Sequence, residues 1–216
     1  SSWRRVVAMG GPSILSMMLM PISSSVLTRL LGGFGHEAVA AAGAAGRIEM
    51  FAFVIPMALG ISLTPFMSQN FGAQRLDRIR EALRVATRFA LLYGGLVAVL
   101  FIALAPWIAG LFTHDPKVAG IFTDYIRIIA FGYGALEVQR YSSFTLNGLH
   151  RPLAATAVTA VRVLVVLIPL SYLGSYLGGV RGLFAARLVT DLACGTMACL
   201  WAWRAVRQAE SRVRGG

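Results

Sequence analysis

Residues 37–84 read EAVAAAGAAGRIEMFAFVIPMALGISLTPFMSQNFGAQRLDRIREALR. The first thirty of these residues, 37–66, carry only three charged side chains, which are Glu37, Arg47 and Glu49. A helix crosses the hydrocarbon core of a bilayer with about 20 mainly apolar residues. The run 37–66 is therefore long enough and apolar enough to be a membrane-spanning helix.

The rest of this stretch is more polar and has an amphipathic pattern. Apolar side chains recur at Leu76, Ile79 and Leu83, with charged residues between them. Apolar residues three and four positions apart lie on one face of a helix. The spacing predicts an amphipathic helix near 73–86 that lies on the cytoplasmic surface of the membrane.

The apolar character extends over the rest of the chain. Of its 216 residues, 57% are apolar and 13% are charged, whereas about a quarter of a soluble domain is charged. The apolar runs predict six membrane-spanning helices, near 8–31, 37–66, 88–113, 119–146, 153–175 and 180–203. The predicted fold class is all-α, a polytopic membrane protein with a six-helix transmembrane bundle over residues 1–216.

The positions of the arginines indicate how these helices are oriented. With six crossings, both termini share one side of the membrane with the second-to-third and fourth-to-fifth connections. Twelve arginines fall on that side and three basic residues on the other. The positive-inside rule therefore predicts cytoplasmic termini in a bacterial inner membrane, and topology explains the net charge of +11 without a nucleic-acid partner. The twelve are Arg4, Arg5, Arg75, Arg78, Arg80, Arg84, Arg88, Arg151, Arg204, Arg207, Arg212 and Arg214, against Arg29, Lys117 and Arg181.

Motifs for catalysis are missing from the sequence. The histidines His36, His114 and His150 lie near predicted helix ends and are not at metal-ligand spacing. Cys194 and Cys199 are five residues apart in an apolar run, without a metal-binding pattern. A nucleophile elbow, a zinc-protease motif and a phosphate-binding loop are also absent. We therefore expect neither an enzyme nor a bound cofactor or metal.

Seven ionisable side chains inside the predicted helices are candidates for a position deep in the membrane. Each costs about 2.5–3.5 kcal/mol to insert, and such residues normally face a protein interior or a water-filled cavity. Arg187 and Asp191 are four residues apart, so they can pair on one helix face and neutralise each other. The seven are Arg47, Glu49, Glu137, Arg140, Arg162, Arg187 and Asp191.

The fourth predicted helix carries the most informative group. Its members lie on one helical stripe and are Glu137, Arg140, Tyr141 and Phe144. Facing one cavity, they could hold a cationic or aromatic solute while the carboxylate exchanges a proton or a sodium ion. The alternative is a Glu137–Arg140 salt bridge that only positions the helix.

Glu49 lies on a similar stripe of the second helix, with Phe53, Pro56 and Gly60. Arg47 is two residues from Glu49 and therefore points in another direction. Glu49 then either has a partner on another helix or is protonated. A protonated carboxylate suits proton coupling.

One block of the sequence resembles a known family. It comprises Ala44–Phe51, Ile55–Gly60 and Thr64–Ala73, and its Pro-Phe-x-x-Gln-Asn-x-Gly-Ala element is fairly specific. Together with Leu111–Asp115 and the turn Asn147–Pro152, this block resembles the multidrug and toxic compound extrusion (MATE) family. The family's motif turn falls on Pro65, Gln69, Asn70, Gly72 and Ala73.

The resemblance implies a fold and a function. Members of the family have twelve spans in two six-helix lobes, and this chain resembles the second, C-terminal lobe. Because the chain begins with Ser1, we expect a fragment whose N-terminal lobe lies upstream, with a dimer of half-transporters as the alternative. The implied activity is secondary active efflux of organic cations or drugs in exchange for protons or sodium ions.

The resemblance also implies positions for the acidic residues that respond to the coupling ion. Some members carry a glutamate in the first helix of this lobe, and the matching position is Met20, which cannot bind a cation in that way. The acidic residue expected in the fourth helix is carried over to Glu137. A flippase for lipid-linked anionic substrates is the alternative function, because Arg47, Arg140 and Arg162 favour an anionic ligand.

Overall fold

The computed structural model describes the backbone of residues 2–214 and, within it, the side chains of Ile14 and of residues 17–211. The side chains of Arg4, Arg5, Arg212 and Arg214, which the topology prediction uses, lie outside this description. The described residues form helices and no strand. The helices are α1 (Ser2–Gly32), α2 (His36–Gly72), α3 (Leu76–Phe112), α4 (Pro116–Ile129), α5 (Tyr133–Gly148), α6 (Pro152–Ala160) and α7 (Ile168–Arg214).

Three helical stretches of the described residues are long and apolar enough to cross a membrane, namely α2, α3 and the continuous stretch Pro152–Ser211. The last of these is two antiparallel rods, because Gly179 has a non-helical backbone with φ 59° and ψ −139°. The backbones of Gly174 and Gly182 meet on either side of this reversal. A residue with a Cβ rarely adopts such a positive φ, so glycine is required at the bend.

With α1 and the rod formed by α4 and α5, these elements make an all-α membrane bundle of six helical rods. The predicted fold class is therefore confirmed. Two of the predicted segments contain an irregular turn. A 3-10 turn, Ala130–Gly132, separates α4 from α5, and a π-helical turn, Val161–Leu167, joins α6 to α7.

The amphipathic helix predicted near 73–86 is not a separate element in the structure. It forms the first turns of α3, which runs without interruption from Leu76 to Phe112. The buried positions of α3 continue at spacings of three and four residues through Leu83, Ala86 and Ala90. Because this apolar stripe is buried in the core along α3, the predicted surface segment and the membrane span form one continuous helix.

The central element is α5, which packs against α2, α3 and α7. Small residues bring α2 and α5 close together. A Cβ at Gly60 would lie 2.6 Å from Cε2 of Phe144, and a Cβ at Gly148 would collide with Met67. Small residues at a helix interface allow the backbones to approach without a hydrophobic driving force in lipid. These contacts hold the two helices that carry most of the candidate site.

The helices α2 and α5 end in the same kind of turn. Arg75 N donates to Asn70 O, and Arg151 N donates to Leu146 O, at 2.8 and 2.9 Å. These are the long backbone bonds of a Schellman motif, whose C′ residue adopts a left-handed conformation. That residue is Gln74 in the first turn and His150 in the second, each with φ 56°.

Candidate functional site

Glu137 lies in the centre of the bundle and forms an ion pair with the following turn of its own helix. Its exposed fraction is 0%, and its Oε1 lies 2.9 Å from Nη1 of Arg140. Within the described part of the chain, neither carboxylate oxygen makes a hydrogen bond of normal geometry. The side chain of Arg140 is 32% exposed, so the pair extends from the core towards the surface. Burial of a charge is expensive unless it is paired, and here a single guanidinium provides the pairing.

Arg140 also contacts an aromatic residue of α2. Its guanidinium carbon lies 5.2 Å from the centre of the Phe53 ring, a cation–π arrangement. The Phe53 ring in turn meets the Tyr133 ring edge to face, with centroids 5.1 Å apart. The ion pair is therefore held between α5 and α2 rather than standing free in a cavity.

The other two members of the predicted stripe are packed against α2. Tyr141 is fully buried, and its hydroxyl donates to the backbone oxygen of Pro56 at 2.9 Å. Phe144 is half-buried and lies over Gly60. Of the four predicted stripe residues, only Arg140 and Phe144 retain exposed surface. The structure thus contains the predicted Glu137–Arg140 salt bridge. The stripe offers less surface to a solute than its sequence predicts, because Glu137 and Tyr141 are buried.

Glu49 has a partner on another helix, which is one of the two alternatives that the sequence left open for it. It is 6% exposed, and its Oε2 accepts hydrogen bonds from Tyr125 Oη at 3.1 Å and from Arg187 Nη2 at 2.9 Å. Arg187 also donates from Nη1 to the Tyr125 hydroxyl. Residues from α2, α4 and α7 therefore meet at this carboxylate.

The pairing of Arg187 with Asp191 is weaker than their spacing suggests. Arg187 Nε lies 4.0 Å from Asp191 Oδ2, at the limit of an ion pair. Asp191 is closer to Arg162, whose Nη2 lies 2.5 Å from its Oδ1. Arg162 belongs to the π-helical turn, an element often found at functional positions. These side chains together form a buried charge network, defined as Glu49, Tyr125, Arg187, Asp191 and Arg162.

Arg47 differs from the other charged residues inside the helices. It is exposed, and in the described part of the chain it makes no hydrogen bond or ion pair. It lies eleven residues after the start of α2, about 16 Å along the helix axis. Its direction away from Glu49 agrees with their spacing of two residues.

The motif turn has a structural part in ending α2. Ala73 N donates to Gln69 O at 3.0 Å, and the side-chain amide of Asn70 donates to Phe66 O at 2.8 Å. Pro65 and Gly72 are exposed. The last turn of α2 docks on the end of α5 through Ser68, whose hydroxyl donates to Gly148 O at 3.2 Å. In this lobe the motif therefore joins two helix ends.

Tyr125 and Tyr133 are site residues that the sequence reasoning missed. Tyr133 is buried at 1% exposure, and its hydroxyl has no hydrogen bond of normal geometry within the described residues. It precedes Glu137 by four residues, and that spacing was the available signal. Tyr125 gave no comparable signal, because its partners Glu49 and Arg187 are 76 and 62 residues away.

A helical membrane bundle with paired charges in its core and an unpaired arginine on a membrane-length helix has the features of a polytopic membrane transporter. The MatE family model matches residues 12–173. The chain belongs to this family, whose members are transporters and not enzymes.

Individual proteins agree with this assignment. The chain is 33% identical to an FAD transporter of Shewanella oneidensis over 93% of its own length and 44% of that protein. It is 23% identical to the multidrug export protein MepA of Staphylococcus saprophyticus, over 90% of the chain and 43% of the relative. A crystal structure of the Vibrio cholerae MATE transporter VcmN in its bent form matches with a TM-score of 0.91 and 32% identity, over 96% of this chain and 48% of that one. The chain thus spans about half the length of the curated relatives it matches.

Proposed function

We propose that this chain is the C-terminal lobe of a secondary active transporter that exports organic cations or drugs in exchange for protons or sodium ions. Family membership supports transport of small organic compounds, and the length of the relatives supports a partner lobe. That partner is an N-terminal lobe of the same protein or a second copy of the chain. The transporter lies in a bacterial inner membrane with both termini in the cytoplasm, in contact with membrane lipid.

The observation that carries the proposal is the environment of Glu137. Its charge is fully buried and depends on one partner, Arg140, which itself reaches the surface. Neutralising the carboxylate would leave Arg140 with the Phe53 ring as its one remaining partner among the described residues. An ion can shift a transporter between conformations only if it binds them with different affinities. Breaking and remaking the Glu137–Arg140 pair gives the coupling ion different affinities for two conformations, because this pair lies where α2 and α5 meet.

Of the two coupling ions, the proton suits Glu137 better. The Arg140 guanidinium already occupies the position that a sodium ion would take beside the carboxylate. A proton needs no additional oxygen ligands, whereas a bound metal cation needs several.

Glu49 has a different part in this proposal. Two donors hold its Oε2, and Arg187 compensates its charge. These donors come from α4 and α7, so the Glu49 carboxylate links three helices. We therefore assign Glu49 to holding α2, α4 and α7 together, and Glu137 to the coupling ion.

The test is ethidium efflux by the complete transporter in cells or vesicles. We expect Glu137→Gln to abolish efflux driven by a pH gradient while the protein still accumulates in the membrane. The exposed Glu81→Gln is the matched control and should transport normally. Unchanged efflux with Glu137→Gln would remove this carboxylate from the mechanism. Replacing the pH gradient by a sodium gradient distinguishes the two coupling ions.

A second candidate substrate class is an anionic aromatic solute of the flavin dinucleotide type. It is favoured by the similarity to the FAD transporter and by the exposed, unpaired Arg47. Vesicles loaded with FAD or with ethidium separate the two classes, and Arg47→Gln should reduce export of FAD more than export of ethidium. The relatives reported above are drug and FAD transporters, so the comparisons do not favour a lipid-linked sugar flippase.

A further inference from the structure

A basic cavity lies where the first turns of α3 approach the last turns of α7, away from both buried ion-pair groups. Its volume is about 770 Å³. Its lining comprises four arginines, one acidic residue and two apolar side chains. These are Arg80 and Arg84 from α3, and Leu200, Trp203, Arg204, Arg207 and Glu210 from α7.

The charges in this cavity are not balanced. Arg80 is the only one of the four arginines that has an ion-pair partner within the described residues, since its Nη1 lies 3.6 Å from Oε1 of Glu210. Arg84, Arg204 and Arg207 are exposed and have no hydrogen-bond or ion-pair partner there. Like charges around one cavity repel each other, and a bound anion would relieve that repulsion.

The chemistry of four arginines favours a phosphate group. A guanidinium presents its N–H donors in a planar fork that matches the oxygens of a phosphate. Arg84 lies on one helix and Arg204 and Arg207 on the other, so a phosphate between them would be held from two sides.

The apolar residues beside the cavity favour a lipid over a free anion as its ligand. A neighbouring groove of about 500 Å³ shares Leu200 and Arg204 with the cavity and continues along Met197 and Trp201. Leu200 is 55% exposed. Tryptophan is enriched at membrane–water interfaces, and these residues follow the apolar part of the last rod. A site that is basic at one end and apolar along the adjoining groove fits a headgroup joined to an acyl chain.

We propose that this cavity binds an anionic phospholipid, with Arg84, Arg204 and Arg207 holding the phosphate and the groove along Leu200 and Trp201 receiving an acyl chain. The lipid joins the start of α3 to the end of α7. Anionic lipids are recognised by basic pockets between membrane helices on the cytoplasmic side, the side to which the arginine distribution assigns these ends.

The test compares two double variants of the complete transporter, purified in detergent. Arg84→Gln with Arg207→Gln removes two charges from the cavity, and Arg75→Gln with Arg78→Gln removes two exposed arginines outside it. Binding of phosphatidylglycerol, phosphatidylcholine and inorganic phosphate is measured by native mass spectrometry and by the shift in melting temperature.

We expect phosphatidylglycerol to bind and stabilise the wild type, and phosphatidylcholine to do so much less. The cavity variant should bind phosphatidylglycerol about 30-fold more weakly, since each arginine near an anionic lipid contributes about 1 kcal/mol. The control variant should keep wild-type affinity. Equal weakening in both variants would overturn the proposal in favour of diffuse surface attraction. Binding of inorganic phosphate as tight as that of phosphatidylglycerol would overturn the assignment to a lipid.

Discussion

Pro56 removes one hydrogen-bond donor from α2, and a side chain of another helix compensates. In a regular helix the backbone oxygen of Ala52 would accept from the N–H of residue 56, which proline lacks. In the structure the Tyr93 hydroxyl, from α3, donates to this oxygen at 2.8 Å. A free backbone carbonyl inside a membrane protein needs such a partner, so the bond allows a proline within a span.

Tyr93→Phe should therefore destabilise the protein by about 1–3 kcal/mol, the cost of leaving a buried polar group without its hydrogen bond. The measurement is thermal or denaturant unfolding of the purified transporter. Tyr176→Phe is the control, because Tyr176 is exposed and the substitution should leave stability unchanged. Equal stability of Tyr93→Phe and the wild type would mean that the Ala52 oxygen finds another donor.

A substitution in the buried charge network should destabilise the protein more than Tyr93→Phe does. Arg187→Gln leaves Glu49 without a cationic partner, and breaking a buried pair costs about 3–5 kcal/mol. Adding Glu49→Gln should restore part of the lost stability, because the unpaired charge is then removed. The expected coupling energy from the double-mutant cycle is about 0.5–3 kcal/mol.

The control for this cycle is the surface pair of Arg181 and Asp124, whose atoms are 2.7 Å apart. Arg181→Gln should change stability very little, since water screens an exposed pair. If the stability changes of Glu49→Gln and Arg187→Gln simply add in the double variant, the two side chains do not stabilise each other.

These residues also show what sequence reasoning can reach. The Glu137–Arg140 pair was predictable, because residues three apart meet on any helix. The pairing of Glu49 with Arg187 joins residues 138 positions apart, so it depends on how α2 and α7 pack. Spacing within one helix could establish only that Glu49 and Arg47 point in different directions.

At the scale of elements, the two Schellman turns make a separate prediction. Gln74 has φ 56°, a conformation that costs a non-glycine residue about 1–2 kcal/mol. Gln74→Gly should raise the melting temperature, because the relief of strain exceeds the added entropy of the unfolded chain. Ala73→Gly is the control, since its φ of −82° is an ordinary one and the substitution should lower stability. A lower melting temperature for Gln74→Gly would contradict this account.

The elements themselves were predictable to different degrees. Long apolar runs indicate membrane helices because hydrocarbon demands them, and the structure places helical rods in each predicted region. The break at Gly179 falls between the predicted segments 153–175 and 180–203, whereas the π-helical turn at Val161–Leu167 carries no distinct periodicity. The continuity of α3 depends on burial of its first turns against the other helices, which a surface helix of the same sequence would not have.

At the scale of the whole molecule, much of the outer surface is apolar. Leu92, Leu96 and Val99 of α3 are among the large apolar side chains that are mostly exposed. In a membrane protein such a surface faces lipid. Arg47 is exposed in the same way, but facing hydrocarbon would cost it about 2.5–3.5 kcal/mol. Its side of α2 should therefore face water, in the cavity that the proposed function places between two lobes.

Cysteine labelling in membranes tests this orientation. In a background with Cys194 and Cys199 replaced by alanine, Arg47→Cys should react with a membrane-impermeant, charged maleimide on one side of the membrane. Leu92→Cys is the matched control, because Leu92 is 76% exposed near the middle of α3 and the residues that follow it on the same face, Leu96 and Val99, are apolar and exposed. It should react far more slowly, since a thiol in hydrocarbon meets neither the reagent nor the water that ionises it. Substrate added in excess should protect Arg47→Cys and leave Leu92→Cys unaffected. If the two cysteines react at the same rate, or if Arg47→Cys stays unlabelled in an active transporter, the face of α2 that carries Arg47 does not line an aqueous cavity between two lobes.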